Sequence, residues 1–209
     1  GLHPSNVHDC EYAIGAINFT GDFPVILTRD GPSLGGFVCP VTIAKAELWK
    51  VGQVKPGDRI RFYPISVEDA VARENAMDRS VDTLQTTALP EFAMPSLADR
   101  DGVSATGLVS LPATFSTPAI VYRQAGDNYI LIEYGDNVLD LALRLRVHVL
   151  MEQLRERAHP GLKALSPGVR SLQVRYDRRA ISQDALVALL LAQEARIGDV
   201  TRMQVPSPV

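Results

Sequence analysis

Between Asp30 and Phe37 the chain reads Asp-Gly-Pro-Ser-Leu-Gly-Gly-Phe, and shortly before it Asn18, Thr20 and Asp22 alternate with Phe19 and Gly21. A glycine lets the backbone approach a ligand closely, so Gly31, Gly35 and Gly36 are candidates for a cradle of backbone amides. Asn18, Thr20, Asp22, Ser33 and Gln53 add polar side chains that donate or accept hydrogen bonds. Fixed donors of this kind stabilise negative charge growing on an oxygen, which suits group transfer involving a neutral ligand. Gly and Pro also mark ordinary turns, so the Asp30–Phe37 run by itself reads as a hairpin loop. Asn18, Thr20 and Asp22 suit an Asx turn equally well.

Other chemistries lack their residues. His3, His8, His148 and His159 are scattered, with no Cys-x-x-Cys or His-x-x-x-His beside them, so no metal site is expected. Cys10 and Cys39 make at most one bridge, which fits a reduced, cytoplasmic setting. No serine has an evident base partner, and no Gly/Ser-rich nucleophile signature occurs, so hydrolysis is discounted and no catalytic side chain is assigned. Trp49, at helical spacing from Lys45 and Ala46, reads as a core anchor rather than a stacking platform. Arg170 is expected to pair with a local acid, His148 to pack within an apolar helix, and Cys39 to be buried as a small hydrophobe. Arg144, Arg146, Arg155 and Arg157 are expected on a solvated or subunit-facing side of that helix.

The chain of 209 residues, 46% of them hydrophobic, is long enough to bury a sizeable core. A formal net charge of −3 gives no general attraction to nucleic acid or to anionic lipid. The apolar stretch Ala185 to Ala192 falls far short of the roughly 20 residues that a spanning helix needs. The opening Gly1-Leu2-His3-Pro4-Ser5 lacks an initiator Met and the regions of a signal peptide, and reads as a cut within a longer chain.

The elements that must position these groups fall into three stretches. Residues 10–66 are strand-rich: 12–17, 25–27, 37–39 and 59–62 are β-prone runs between Gly, Pro and Asp turns, with a short helix over 44–50. This pattern suits a compact, barrel-like β lobe. Ser66 caps a helix running to about Leu84. Residues 86–118 carry Pro90, Pro95, Pro112 and Pro118 among Ser, Thr and Ala, and read as a mobile linker. Beyond it, 120–123 and 129–134 flank the turn Ala125-Gly126-Asp127-Asn128 and predict a hairpin. A helix over 138–157, a strand over 170–176, a helix capped by Ser182 and a last strand over 200–205 complete an open-faced α+β sandwich.

Two motif sets carry a resemblance. Asn18-Phe19-Thr20-Gly21-Asp22, Asp30 to Phe37, Ala46 to Gln53 and Lys55-Pro56-Gly57-Asp58 resemble the late part of the first carboxyltransferase subdomain of urea carboxylase and urea amidolyase, the family of allophanate hydrolase subunit 2. Tyr122 to Asp127, Glu133-Tyr134-Gly135, Leu139-Asp140-Leu141, Ser166 to Leu172 and Tyr176-Asp177 resemble the opening lobe of the adjoining subdomain, found alone as subunit 1 and as the Kip-type inhibitor of a sensor kinase. The order of the two sets is that of the fused carboxylases.

The resemblance implies an α+β fold: a partial β-barrel-like (cyclophilin-like) lobe over 1–66, a helix and linker over 67–118, and an open-faced sandwich over 119–209. It implies transfer of a carboxyl group from carboxybiotin to urea, or to guanidine, by a chain inactive alone. Asn18, Thr20, Asp22, Ser33, Gly35, Gly36 and Gln53 would then contact substrate or biotin. Nothing resembles an ATP-binding loop, and Lys45, Lys50, Lys55 and Lys163 lack the neighbouring Met of a biotin carrier, so biotin, ATP and Mg would be handled by other domains of the parent. Those domains are the implied partners, with a homo-oligomer also allowed. A 5-oxoprolinase subunit and a regulatory module like the kinase inhibitor are the alternative readings.

Overall fold

The computed structural model describes residues 3–32, 34–86, 88 and 107–203, and the backbone but not the side chains of residues 8–10. Ser33, most of the expected linker and residues 204–209 lie outside the described residues. The architecture is mixed α/β, with several antiparallel sheets.

The first lobe holds β1 (Asn6–Glu11), β2 (Ala16–Thr20), β3 (Phe23–Ile26), β4 (Leu34–Phe37) and β5 (Val41–Thr42). These form a three-stranded sheet in the order β3-β2-β5 and a two-stranded ladder β1-β4, and they do not close into a barrel. The run expected as one strand over 12–17 is broken at Gly15, whose φ of +90° turns the chain between β1 and β2. A side chain there would also strike Leu48 Cδ2 at 2.7 Å.

A 3-10 turn (Lys45–Glu47) runs into α1 (Leu48–Val51) where a short helix was expected. Residues 59–62, expected as a strand, are exposed and have no regular structure. Their alternating Arg, Ile, Arg and Phe find no partner strand among the described residues. Ser66 caps α2 (Val67–Thr83) by accepting a 3.0 Å hydrogen bond from the Asp69 backbone N–H.

The second lobe contains one five-stranded antiparallel sheet ordered β6-β7-β8-β10-β9: β6 (Gly107–Leu111), β7 (Ile120–Gln124), β8 (Tyr129–Tyr134), β9 (Leu162–Pro167) and β10 (Ser171–Tyr176). The predicted hairpin is present, with Gln124 opposite Ile130 and Gly126 at φ +100°. Strands β6 and β9 were not expected. Both are outer strands whose pairing with β7 and β10 supplies what their sequences lack. In place of a last strand, Val200–Arg202 is a 3-10 turn.

Helices α3 (Leu141–Arg157) and α4 (Gln183–Glu194) cover the sheet and share one core with Ile120, Tyr122, Ile132 and Leu172. Asp140 and Ser182 cap them. Three side chains on or near helices depart from expectation. Arg146 is buried rather than solvated, held by Glu194 at 2.5 Å, while His148 points outward. Trp49 is 52% exposed on α1, which is a single turn. Arg170 does pair locally, with Glu133 Oε1 at 2.8 Å.

Candidate functional site

A cleft of about 1530 Å³ is lined by residues of both lobes. Its long wall is apolar and comes from β2, β5 and the irregular segment before α2, including Ile17, Phe19, Val41, Ile60 and Phe62. Its polar end lies where α1, α2 and the β7–β8 turn converge, and carries Glu47, Lys50, Arg73, Gln124 and Asp127. Strand alternation decides which residues look in. Ile17 and Phe19 line the cleft, so Asn18 and Thr20 take the other face of β2.

The formal charges at the polar end are largely spent on one another. Glu47 Oε1 accepts from Arg73 Nε at 2.9 Å, and Glu47 Oε2 pairs with Lys50. Burial would raise its carboxyl, but the hydrogen bonds and charges of Lys50 and Arg73 prevail and hold it below the usual range. Lys45 Nζ pairs with Glu74. The carboxamides of Gln124, Gln173 and Gln183 also line the cleft, with Gln183 Nε2 donating to Gln124 Oε1 at 2.6 Å.

The same region clasps the two lobes together. The Lys45 backbone N–H, at the start of the 3-10 turn, donates to Asp127 Oδ2 at 2.9 Å. Burial pushes the Asp127 carboxyl above its ordinary range despite that bond. The Ile14 N–H donates to Tyr129 Oη at 3.3 Å, and Tyr129 packs with Ala13 and Ala16. Ser171 Oγ donates to Glu11 Oε2 at 2.9 Å, and Gln173 Nε2 reaches the Glu11 carbonyl at 3.4 Å. The polar face of β10, alternating with Leu172 and Val174, is thus turned toward the first lobe rather than toward water.

The residues proposed from sequence are not gathered in the cleft. Thr20 Oγ1 donates to Asn18 Oδ1 at 3.4 Å on the far face of β2, where Asn18 is buried. Asp22 is exposed beside His3. Gly35 sits opposite Cys10 in the β1–β4 ladder, and a side chain there would overlap the Tyr12 ring, whose hydroxyl accepts from the Phe37 N–H at 2.9 Å. Gly36 passes close to the Val7 carbonyl. Gln53 lies exposed in the turn after α1, and Ser33 is outside the described residues. Sequence reasoning missed Glu11, Asp127, Tyr129 and Gln173. For Asp127 the available signal was the turn itself, which was read only as a connection.

Comparison with known proteins decides the family. Residues 1–64 match the model described as carboxyltransferase domain, subdomain A and B, and residues 120–206 match that for subdomain C and D. The chain belongs to the carboxyltransferase family of urea carboxylase and urea amidolyase. The urea amidolyase of Lachancea kluyveri is 47% identical to this chain over 202 residues, and that of Saccharomyces cerevisiae 43% over 206. Each alignment takes in 94% of the chain and 11% of the relative. The crystal structure of Kluyveromyces lactis urea carboxylase superposes with a TM-score of 0.84 at 44% identity, over 94% of this chain and 17% of that one. The chain therefore spans about a tenth of the length of these two curated relatives. The resemblance read from the two motif sets is borne out.

Proposed function

We propose that the chain works as part of the carboxyltransferase region of a biotin-dependent urea carboxylase, moving a carboxyl group to a nitrogen of urea or guanidine to give allophanate or its guanidine counterpart. The observation that carries this reading is the order of the two family matches, subdomains A and B before C and D, within one chain. The working division is a partial, cyclophilin-like first lobe over 1–66, a helix and linker over 67–118, and the opening lobe of the second subdomain over 119–209, to whose sheet β6 (Gly107–Leu111) from the linker stretch adds an outer strand. ATP and Mg use and the biotin carrier belong to other domains of the parent, in the cytoplasm.

The donor set of the cleft fits a neutral ureido group. Gln124, Gln173 and Gln183 line it with carboxamides, and Glu47, Lys50 and Arg73 beside them pair with one another. Carboxybiotin supplies the carboxyl group when bound. The chain's own part is to orient a ureido oxygen by hydrogen bonds and to hold the lobes at a fixed spacing, which is the kind of preorganised polar environment that lowers a barrier to charge development. Asn18 and Thr20, on the face of β2 turned from the cleft, together with Asp22, Ser33, Gly35, Gly36 and Gln53, are proposed as further contacts for substrate or biotin.

The test is ATP turnover by the purified parent protein with urea and with guanidine. Turnover dependent on either substrate is expected. A parent that loads biotin yet responds to neither would end this reading.

A further inference from the structure

The first lobe has strands but little interior. Among the described residues of 3–66, the buried hydrophobic side chains are Tyr12, Ala13, Ala16, Ile17, Leu27 and Ala46, half of them alanines. The second lobe, by contrast, buries one large continuous cluster. The missing apolar surface is on the outside of the first lobe: Val41, Val54, Ile60, Phe62 and Tyr63 are each more than 40% exposed, and all five line the cleft. Contiguous exposed apolar surface of this kind marks an interaction site.

The strand pairing is equally incomplete. β3 and β5 are the outer strands of their sheet, and β1 and β4 make a ladder of two. A two-stranded ladder is marginal alone, and unpaired edges invite further strands. The volume argues against a small ligand as sole occupant, because such sites enclose about 300–1,000 Å³, less than this cleft. The relatives supply a source, since the chain accounts for 11% of their length.

We infer that the apolar wall formed by Val41, Val54, Ile60, Phe62 and Tyr63 is a docking surface for further β-structure of the same carboxyltransferase region, carried by the parent polypeptide. This rests on the function proposed above. The occupant presents an apolar strand face to Phe62 and Val41 and extends the three-stranded sheet at an edge. The polar end, with Gln124 and Gln183, stays open to the small ligand.

The experiment uses the full-length parent. Phe62→Cys and Val41→Cys are introduced separately, and the rate of maleimide labelling at each site is read by peptide mass spectrometry, native against denatured. Docking predicts native labelling slower by about tenfold or more. Native rates within about twofold of the denatured rates overturn it. Should either variant misfold, hydroxyl-radical oxidation of Phe62 and Tyr63 in the unmodified parent gives the same reading. Protection that vanishes on dilution as subunits dissociate assigns the cover to a second copy and also overturns the inference. Protected sites in a parent without urea- or guanidine-dependent turnover sink the proposed function and leave the docking surface standing, and the reverse pattern does the opposite.

Discussion

Asp127 is a buried carboxylate whose useful act is to accept one backbone N–H from the other lobe. Removing the acceptor by Asp127→Ala leaves the Lys45 N–H unmet and is expected to cost about 1–3 kcal/mol in urea unfolding. Asp127→Asn keeps an acceptor oxygen and sheds the buried charge, so it should cost less. The sign of the pH effect follows from the raised pKa. The fold favours the protonated form, so this group's contribution is fully present below its unfolded value, about 4, and is lost as pH rises through the higher folded value. Asp127→Asn should flatten that slope. Glu194 accepts from Tyr134 Oη at 2.6 Å and from Arg146 Nε at 2.7 Å. Glu194→Gln leaves the Arg146 charge uncompensated, and a loss of about 3–5 kcal/mol is expected in denaturant melts. Cys39, half-buried in the cleft, has its thiol pushed up to about 11 by burial. Its alkylation at neutral pH should be at least about tenfold slower in the native protein than in urea, because the thiolate is the reactive form. Sequence alone did not disclose Arg146 as buried, since an Arg among Leu and Val on a helix announces nothing about the acid waiting on α4.

At the scale of elements, what could be read was local. The caps at Ser66 and Ser182 and the turn at Ala125–Asn128 each depend on a few adjacent residues, and each appears where expected. Replacing either serine by alanine should cost about 1 kcal/mol, measured by thermal melts. Gly126 carries a heavier constraint. Its φ is +100° and a Cβ would lie 2.9 Å from Thr42 Cγ2. Gly126→Ala should therefore both strain the hairpin and push the lobes apart, seen as faster amide exchange at Lys45 and Ile14 than in the native chain. What could not be read was pairing supplied from elsewhere. Gly107–Leu111 has a proline-rich setting and no alternation to speak of, yet it becomes a strand because β7 offers an edge. Residues 59–62 alternate and find no such edge. The sequence-derived site residues were chosen for polarity beside glycine; the alternation along β2 turns Asn18 and Thr20 from the cleft, and Gly35 is held against Tyr12.

For the whole molecule, the division of stability is uneven. The second lobe buries Ile130, Leu150, Leu172 and Leu190 in one core, and the first leans on it through Tyr129, Glu11 and Asp127. Amide exchange in the isolated chain should be slowest in β8 and β10 and faster across β2 and β3, following the local density of buried contacts. Equal protection in both lobes would contradict that picture. The two dissimilar parts and their family order were visible in the residues, whereas the surface joining them was not, because it is built from contacts between distant segments.

The bond between Ser171 and Glu11 links positions 160 apart in sequence. During synthesis Glu11 leaves the ribosome long before Ser171 exists, so the first lobe must wait for this anchor until β10 has emerged. Premature termination anywhere before β10 would therefore release a first lobe lacking this anchor, a ready substrate for chaperones and proteases.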